Sequence, residues 1–173
     1  IMVLVRKRGP FVHALSRELK NLHVAVSGAD RLILTDHIAV KDLLAIARFC
    51  LFPGDDLSLA ALLRSPLFAL TDDELRELAA YRDPRQSLFE KLAAEAGGKP
   101  KLERALAELS RWQSEAAAAT VFDFYARILA RDKVRARLIQ RLGIEAGEVI
   151  DEFLNHALAR EQAGLSGLQD FVE

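Results

Sequence analysis

Asp36-His37-Ile38-Ala39-Val40-Lys41-Asp42-Leu43-Leu44-Ala45-Ile46-Ala47-Arg48-Phe49-Cys50-Leu51, closed by Pro53-Gly54, is the stretch on which the fold turns. Asp36 reads as the N-cap of a helix reaching about Leu51. Apolar residues run nearly all the way round that helix, where a surface helix would carry a single stripe, so it is predicted to be buried. Downstream the reading stays helical. Asp55 or Asp56 caps a helix with Leu57, Ala60, Ala61 and Leu63, which Ser65-Pro66 stops. Thr71 with Glu74 matches a capping box ahead of Leu75 and Leu78. Asp83-Pro84 reads as a further start, before Leu88, Phe89 and Leu92.

Gly97-Gly98-Lys99-Pro100 is the clearest break and the candidate domain boundary. Beyond it a long helix keeps Leu102, Leu106, Leu109 and Trp112 in register, and Thr120 caps one with Val121, Phe124, Tyr125 and Ile128. Asp132 to Leu142 reads as a short basic helix closed by Gly143. Glu148 to Gln162 follows, with Val149, Ile150, Phe153, Leu154 and Leu158 on a wide stripe. Upstream of Asp36 the pattern differs. Ile1-Met2-Val3-Leu4-Val5 is apolar without alternation, as in a strand covered on both faces of a sheet. A turn at Gly9-Pro10 leads to a helix with Phe11, Leu15, Leu19 and Leu22 on one stripe, then to a short strand Val24-Ala25-Val26 closed by Gly28. Strand, helix, strand in so few residues suggests a parallel crossover unit. The expected class is therefore mainly α with a small N-terminal α/β portion, to about residue 34. Two strands cannot bury both faces, and the pattern stops soon after a start signal at Ser166, so the chain is expected to be an excised fragment.

Composition sets bounds on function. The chain has 173 residues, 51% hydrophobic and 28% charged, which is enough apolar material for a core. Its net charge of −1 leaves no global field toward a polyanion, so any such contact must come from local patches. Cys50 is the only cysteine and lies in the apolar run Leu43 to Phe52, which reads as a buried thiol in a reducing, cytoplasmic compartment. No apolar run approaches the ~20 residues that span a bilayer, so no membrane partner is expected.

Most catalytic signatures are missing. There is no Gly-rich Lys-Ser/Thr loop for a triphosphate, and His13, His23, His37 and His156 do not fall at metal-ligand spacing. Asp55-Asp56 and Asp72-Asp73-Glu74 lie at helix starts, where carboxylates meet unpaired N–H groups, so capping is their expected role. Two basic features remain. Arg6-Lys7-Arg8 follows the first strand, where open α/β sheets bind ligands, and reads equally as a phosphate contact or as a solvated cluster. Lys133, Arg137 and Arg141, four residues apart beside Val134, Leu138 and Leu142, read as a nucleic-acid-binding stripe or as the solvent face of an amphipathic helix.

The order of these segments resembles the UvrD/Rep class of superfamily I DNA helicases. Ile1-Met2-Val3-Leu4-Val5-Arg6 resembles motif IV, an apolar strand of the second motor domain ending in arginine. Val24-Ala25-Val26 and Gly28 fall where the family has its Ile-Pro-Tyr…Gly-Gly segment. Ala39-Val40-Lys41-Asp42-Leu43-Leu44 resembles its Glu-Ile-Lys-Asp helix, and Pro53-Gly54-Asp55-Asp56-Leu57-Ser58-Leu59 its Asn-Pro-Asp-Asp-Asp-Leu-Ser-Leu turn. Leu63-Arg64-Ser65-Pro66 sits at its Asn-x-Pro stop. The turn near Gly28-Ala29-Asp30 and the wording Leu62-Leu63-Arg64-Ser65-Pro66-Leu67-Phe68 look closest to the RecB/AddA branch of double-strand-break-repair helicase–nucleases. The remainder to Glu173 is similar in pattern only.

The resemblance implies that 1–96 is the N-terminal part of motor domain 2A, an incomplete RecA-like piece, and 97–173 a helical 2B-type subdomain. It implies that Arg6 contacts the γ-phosphate of ATP as catalytic and cofactor-binding residue. ATP and Mg²⁺ would then be held in the intact parent, with DNA and a second helicase–nuclease subunit as partners, and the fragment alone would be inactive. Two departures limit the transfer. Val5 stands where the family often has a tyrosine that stacks on adenine. Leu67-Phe68-Ala69-Leu70 lacks the glycines of the Gly-Ile-Gly turn that meets duplex phosphates, so that contact is not carried over. The competing expectation is a non-enzymatic helical adaptor that binds another protein through a helix face.

Overall fold

The computed structural model describes Val3, Leu15, Glu18, Leu19, Leu22, Val24 and residues 34–164 and 167–172. The chain divides into two compact units, Ile1–Ile33 and Leu34–Glu173.

In the first unit Leu15, Glu18 and Leu19 are helical, as the stripe predicts. Leu22, the last residue assigned to that stripe, sits in a turn and is 71% exposed. No strand occurs among the described residues. Of the two predicted strands only Val3 and Val24 are described; neither is in a strand, and exposures of 54% and 48% do not suit one covered on both faces. This corrects the α/β reading at those two positions. The other strand positions, and Arg6, lie outside the described residues.

The second unit is helical throughout its described residues. Its centre is α1 (Ile38–Leu51), on which Ala39, Leu43, Ile46, Ala47 and Phe49 are completely buried. Asp36 does not cap it. Leu34–Asp36 form a 3-10 turn, and the His37 Nδ1 accepts the Ala39 amide at 3.2 Å. After the Pro53-Gly54 turn comes α2 (Asp56–Arg64), capped by Asp55, whose Oδ1 accepts the Leu57 and Ser58 amides at 3.1 Å each. Its inward face is Leu59, Leu62 and Leu63; Leu57, predicted to face inward, points to solvent. Then follow α3 (Asp72–Ala79), opened by the Thr71/Glu74 box, and α4 (Leu88–Glu95). The latter starts four residues after Pro84, not at it. Asp83 closes a local turn by accepting the Arg85 amide, while Ser87 and Glu90 form a capping box that the sequence reading missed.

Pro100 opens α5 (Pro100–Ala116) and Thr120 caps α6 (Val121–Ala130). The basic helix is α7 (Val134–Leu142), closed by Gly143 at φ +95°, a backbone conformation that costs glycine nothing. Next is α8 (Glu145–Gln162), which begins three residues before the predicted Glu148. The early start brings in Gly147, where a Cβ would stand 3.3 Å from both Arg135 and Ile139, so glycine lets α7 and α8 approach closely. A short α9 (Leu168–Val172) ends the described chain.

Packing joins these helices across the predicted boundary. Helix α1 lies against α2, α5, α8 and α9, and α8 also meets α6 and α7. The buried Tyr125 hydroxyl of α6 donates to the Leu43 carbonyl of α1 at 3.1 Å, and its ring meets Phe153 edge-on at 4.8 Å. Phe68 lies 5.7 Å from Trp112, and Phe49 packs on Phe89 at 5.1 Å. Gly97-Gly98 is thus a turn between α4 and α5 within one compact unit, and the compact units part between residues 33 and 34 instead. No helix among the described residues is long and apolar enough to cross a membrane.

Candidate functional site

The one local concentration of positive charge that the sequence placed on a described helix is α7, and the structure sets that helix against the turn after α2. Ser65 makes the turn. Its Oγ donates to the Leu62 carbonyl at 2.7 Å and accepts the Leu67 amide at 3.2 Å, while its carbonyl accepts the Phe68 and Ala69 amides. The Leu70 amide donates to Leu63 at 2.8 Å. Ala69 is held at φ +51°, a left-handed conformation costing a residue with a Cβ roughly 1–2 kcal/mol. Every amide from Leu67 to Leu70 is therefore spent inside the turn. None is left to cradle a phosphate, which agrees with withholding the duplex contact from this stretch.

The Leu67 carbonyl faces the other way, toward two guanidinium groups. Arg104 Nη2 of α5 donates to it at 2.9 Å and Arg137 Nη1 of α7 at 2.6 Å. Arg137 is also bonded through Nη2 to both Glu108 oxygens, at 3.2 and 3.0 Å, and to the Asp132 carbonyl. Its side chain is only 18% exposed. Beside it lies a cavity of about 370 Å³ lined by Arg64, Ser65, Pro66, Ala69, Gln140 and Arg141 as well. Arg64 is ion-paired with Asp72.

The three residues predicted to touch DNA thus part company. Arg137 is turned inward and neutralised by Glu108. Arg141 is exposed on the cavity wall, and Lys133, in left-handed conformation at φ +56° just before α7, is exposed as well. Neither of these two side chains has an ion-pair or hydrogen-bond partner among the described residues. Arg135, on the neighbouring face, is held bidentately by Asp151 at 2.5 and 2.8 Å. The sequence gives no sign of Arg64, Arg104 or the Leu67 carbonyl as parts of this arrangement. Leu67 meets partners 37 and 70 positions away, a pairing with no local pattern.

Asp132, read as the start of the basic helix, has a different task. It accepts the Trp112 indole N–H at 2.8 Å and pairs with Arg111 at 2.7 Å and Arg131 at 3.0 Å. Burial alone would raise its carboxyl, but the bonds from Arg131, Trp112 and Arg111 together bring it down to about 2. The acidic clusters act as caps and tethers, as expected. Asp56 takes the Leu88 amide at 2.7 Å and pairs with Arg82, and Glu74 takes the Thr71 amide and the Lys101 ammonium, both at 2.6 Å. Cys50 is a neutral thiol, pushed up to about 12 by burial. Asp42 is buried on α1 with its Oδ2 unpartnered, and burial pushes its carboxyl up to about 7. No group of three metal-ligating side chains occurs among the described residues.

No family model matches the chain, and no curated protein matches it.

Proposed function

We propose that this chain is a piece of an ATP-dependent DNA helicase, of the double-strand-break-repair helicase–nuclease kind, that couples ATP-driven cleft closure to movement on DNA. The observation that supports the reading is the order of elements over 36–66: an apolar helix, a Pro53-Gly54 turn, an aspartate-capped helix and a Ser65-Pro66 stop, in the family's sequence of motifs. In this reading Arg6 reaches the γ-phosphate only when the motor cleft shuts, so nucleotide state and domain position are linked through one guanidinium. ATP and Mg²⁺ belong to the intact helicase, which supplies the phosphate-binding Lys, the metal ligands and the catalytic Glu. A second helicase–nuclease subunit completes a cytoplasmic assembly. The exposed cations Lys133 and Arg141 give the helical part its contact with the DNA backbone.

The test is ATP hydrolysis with single-stranded DNA present. This chain alone is expected to show no turnover, and Arg6→Ala in the intact helicase to cut turnover strongly without loss of fold. Turnover by the chain matching a complete helicase, or wild-type turnover by the variant, refutes the reading.

A second reading, a non-enzymatic adaptor, draws on one observation. Leu57 and Tyr81 are large apolar side chains left open to solvent, and their neighbours Asp56 and Arg82 form an ion pair. It requires that the chain bind no DNA.

A further inference from the structure

We propose that Arg137 is a positioning residue for the nucleic-acid contact made by Arg141 and Lys133, and does not touch the nucleic acid itself. The inference rests on the DNA-binding reading above and deepens it. An arginine that neutralises a phosphate must bring a guanidinium whose charge is unanswered, because affinity comes from releasing the counterions that the phosphate held. The Arg137 charge is already answered by Glu108, and its donors are directed to two carbonyls besides. Turning it outward would break this set and strand a half-buried carboxylate. Arg104 also bonds Glu108, at 3.1 Å, but is largely exposed.

What Arg137 does hold is geometry. It joins α7 to α5 through Glu108, to the α6–α7 corner through the Asp132 carbonyl, and to the turn after α2 through Leu67. Arg141 is one helical turn further along α7, and Lys133 sits next to the corner carbonyl that Arg137 grips. Both exposed cations are thus placed by a backbone that Arg137 pins on either side. A planar fork is needed for this, since a lysine cannot address a carboxylate and two carbonyls at once.

The experiment compares full-chain variants binding a fluorescent DNA duplex with a single-stranded tail, over a range of salt concentrations and well below each variant's unfolding temperature. Arg141→Ala is expected to flatten the dependence of log affinity on log salt by about 1, the signature of one lost phosphate contact. Arg137→Met is expected to weaken binding several-fold at every salt concentration with the slope unchanged. A flatter slope for Arg137→Met makes it a direct contact, and unchanged affinity makes it purely structural; either result overturns the proposal. If Arg137→Met does not fold, Glu108→Gln asks the same question. It leaves both carbonyl bonds in place, and an unchanged slope is expected, whereas a steeper one means that the released guanidinium reaches phosphate. Wild-type binding by both Arg141→Ala and Lys133→Ala sinks the DNA reading itself, and this inference with it.

Discussion

Asp42 is the residue whose chemistry is least at rest. It lies on the most apolar helix of the chain, with one carboxylate oxygen buried and unpartnered, and burial moves its carboxyl from the usual 3.8 to about 7. No charged neighbour contributes to that shift; desolvation alone drives it. Because the folded value is raised, the folded state holds a proton that the unfolded state has already released between about pH 4 and 7. Stability from this group is therefore fully present below about pH 4 and is lost as pH rises through about 7. The shift corresponds to about 4 kcal/mol at its ceiling. An asparagine removes the charge but still buries an unpaired amide, at about 1–3 kcal/mol. Asp42→Asn should thus gain about 2 kcal/mol over the parent at pH 8 and nothing at pH 5. Urea unfolding at the two pH values checks this, and an equal gain at both would show that ionisation is not the cause. Asp132 and Glu95, both brought down to about 2, lose their contributions only below about pH 4, outside the window.

Helix starts show which elements were legible and why. Thr71 with Glu74, Thr120, Asp55 and Pro100 could all be read from sequence, because a cap is a bond between residues two or three apart. The misses follow from competition between neighbouring signals. Asp83-Pro84 satisfies the rule for a first turn, yet Asp83 spends its carboxylate on the Arg85 amide and leaves Ser87 and Glu90 to satisfy each other. Asp36 lost its place to His37, a residue seldom weighed as a cap. Asp132 was drawn away by Trp112, so that Lys133 takes the N-cap position without a side-chain bond. On the candidate site, Lys133 and Arg141 were legible as a charged periodicity, but the inward turn of Arg137 was not, since its partners come from α5 and from the turn after α2. The capping order at α4 is testable. Ser87→Ala should cost about 1 kcal/mol and Asp83→Ala clearly less. The reverse ranking in denaturant titrations would return the helix start to Asp83.

At the scale of the molecule, the question is whether the Gly97-Gly98 break divides cooperative units. Four kinds of contact cross it: the Tyr125 hydroxyl to Leu43, Arg104 and Arg137 to Leu67, Lys101 to Glu74, and the Phe68–Trp112 ring pair. The largest of them are buried. Tyr125 and Trp112 are fully enclosed, and α1 has neighbours from both sides of the break, so neither half keeps a closed core if the other melts. A glycine pair ends one helix and frees the chain to turn, but it does not separate domains when the flanking helices share a core. Among the described residues every buried hydrophobic lies between Ala39 and Leu168. A chain trimmed to 34–173 should therefore unfold in one transition, with calorimetric and van't Hoff enthalpies equal and a heat-capacity increment of about 2 kcal/mol/K. Trp112, the only tryptophan, offers a second probe whose midpoint should coincide with the loss of helix. Two resolved transitions, or a calorimetric enthalpy well above the van't Hoff value, would restore an independent domain beginning near residue 97.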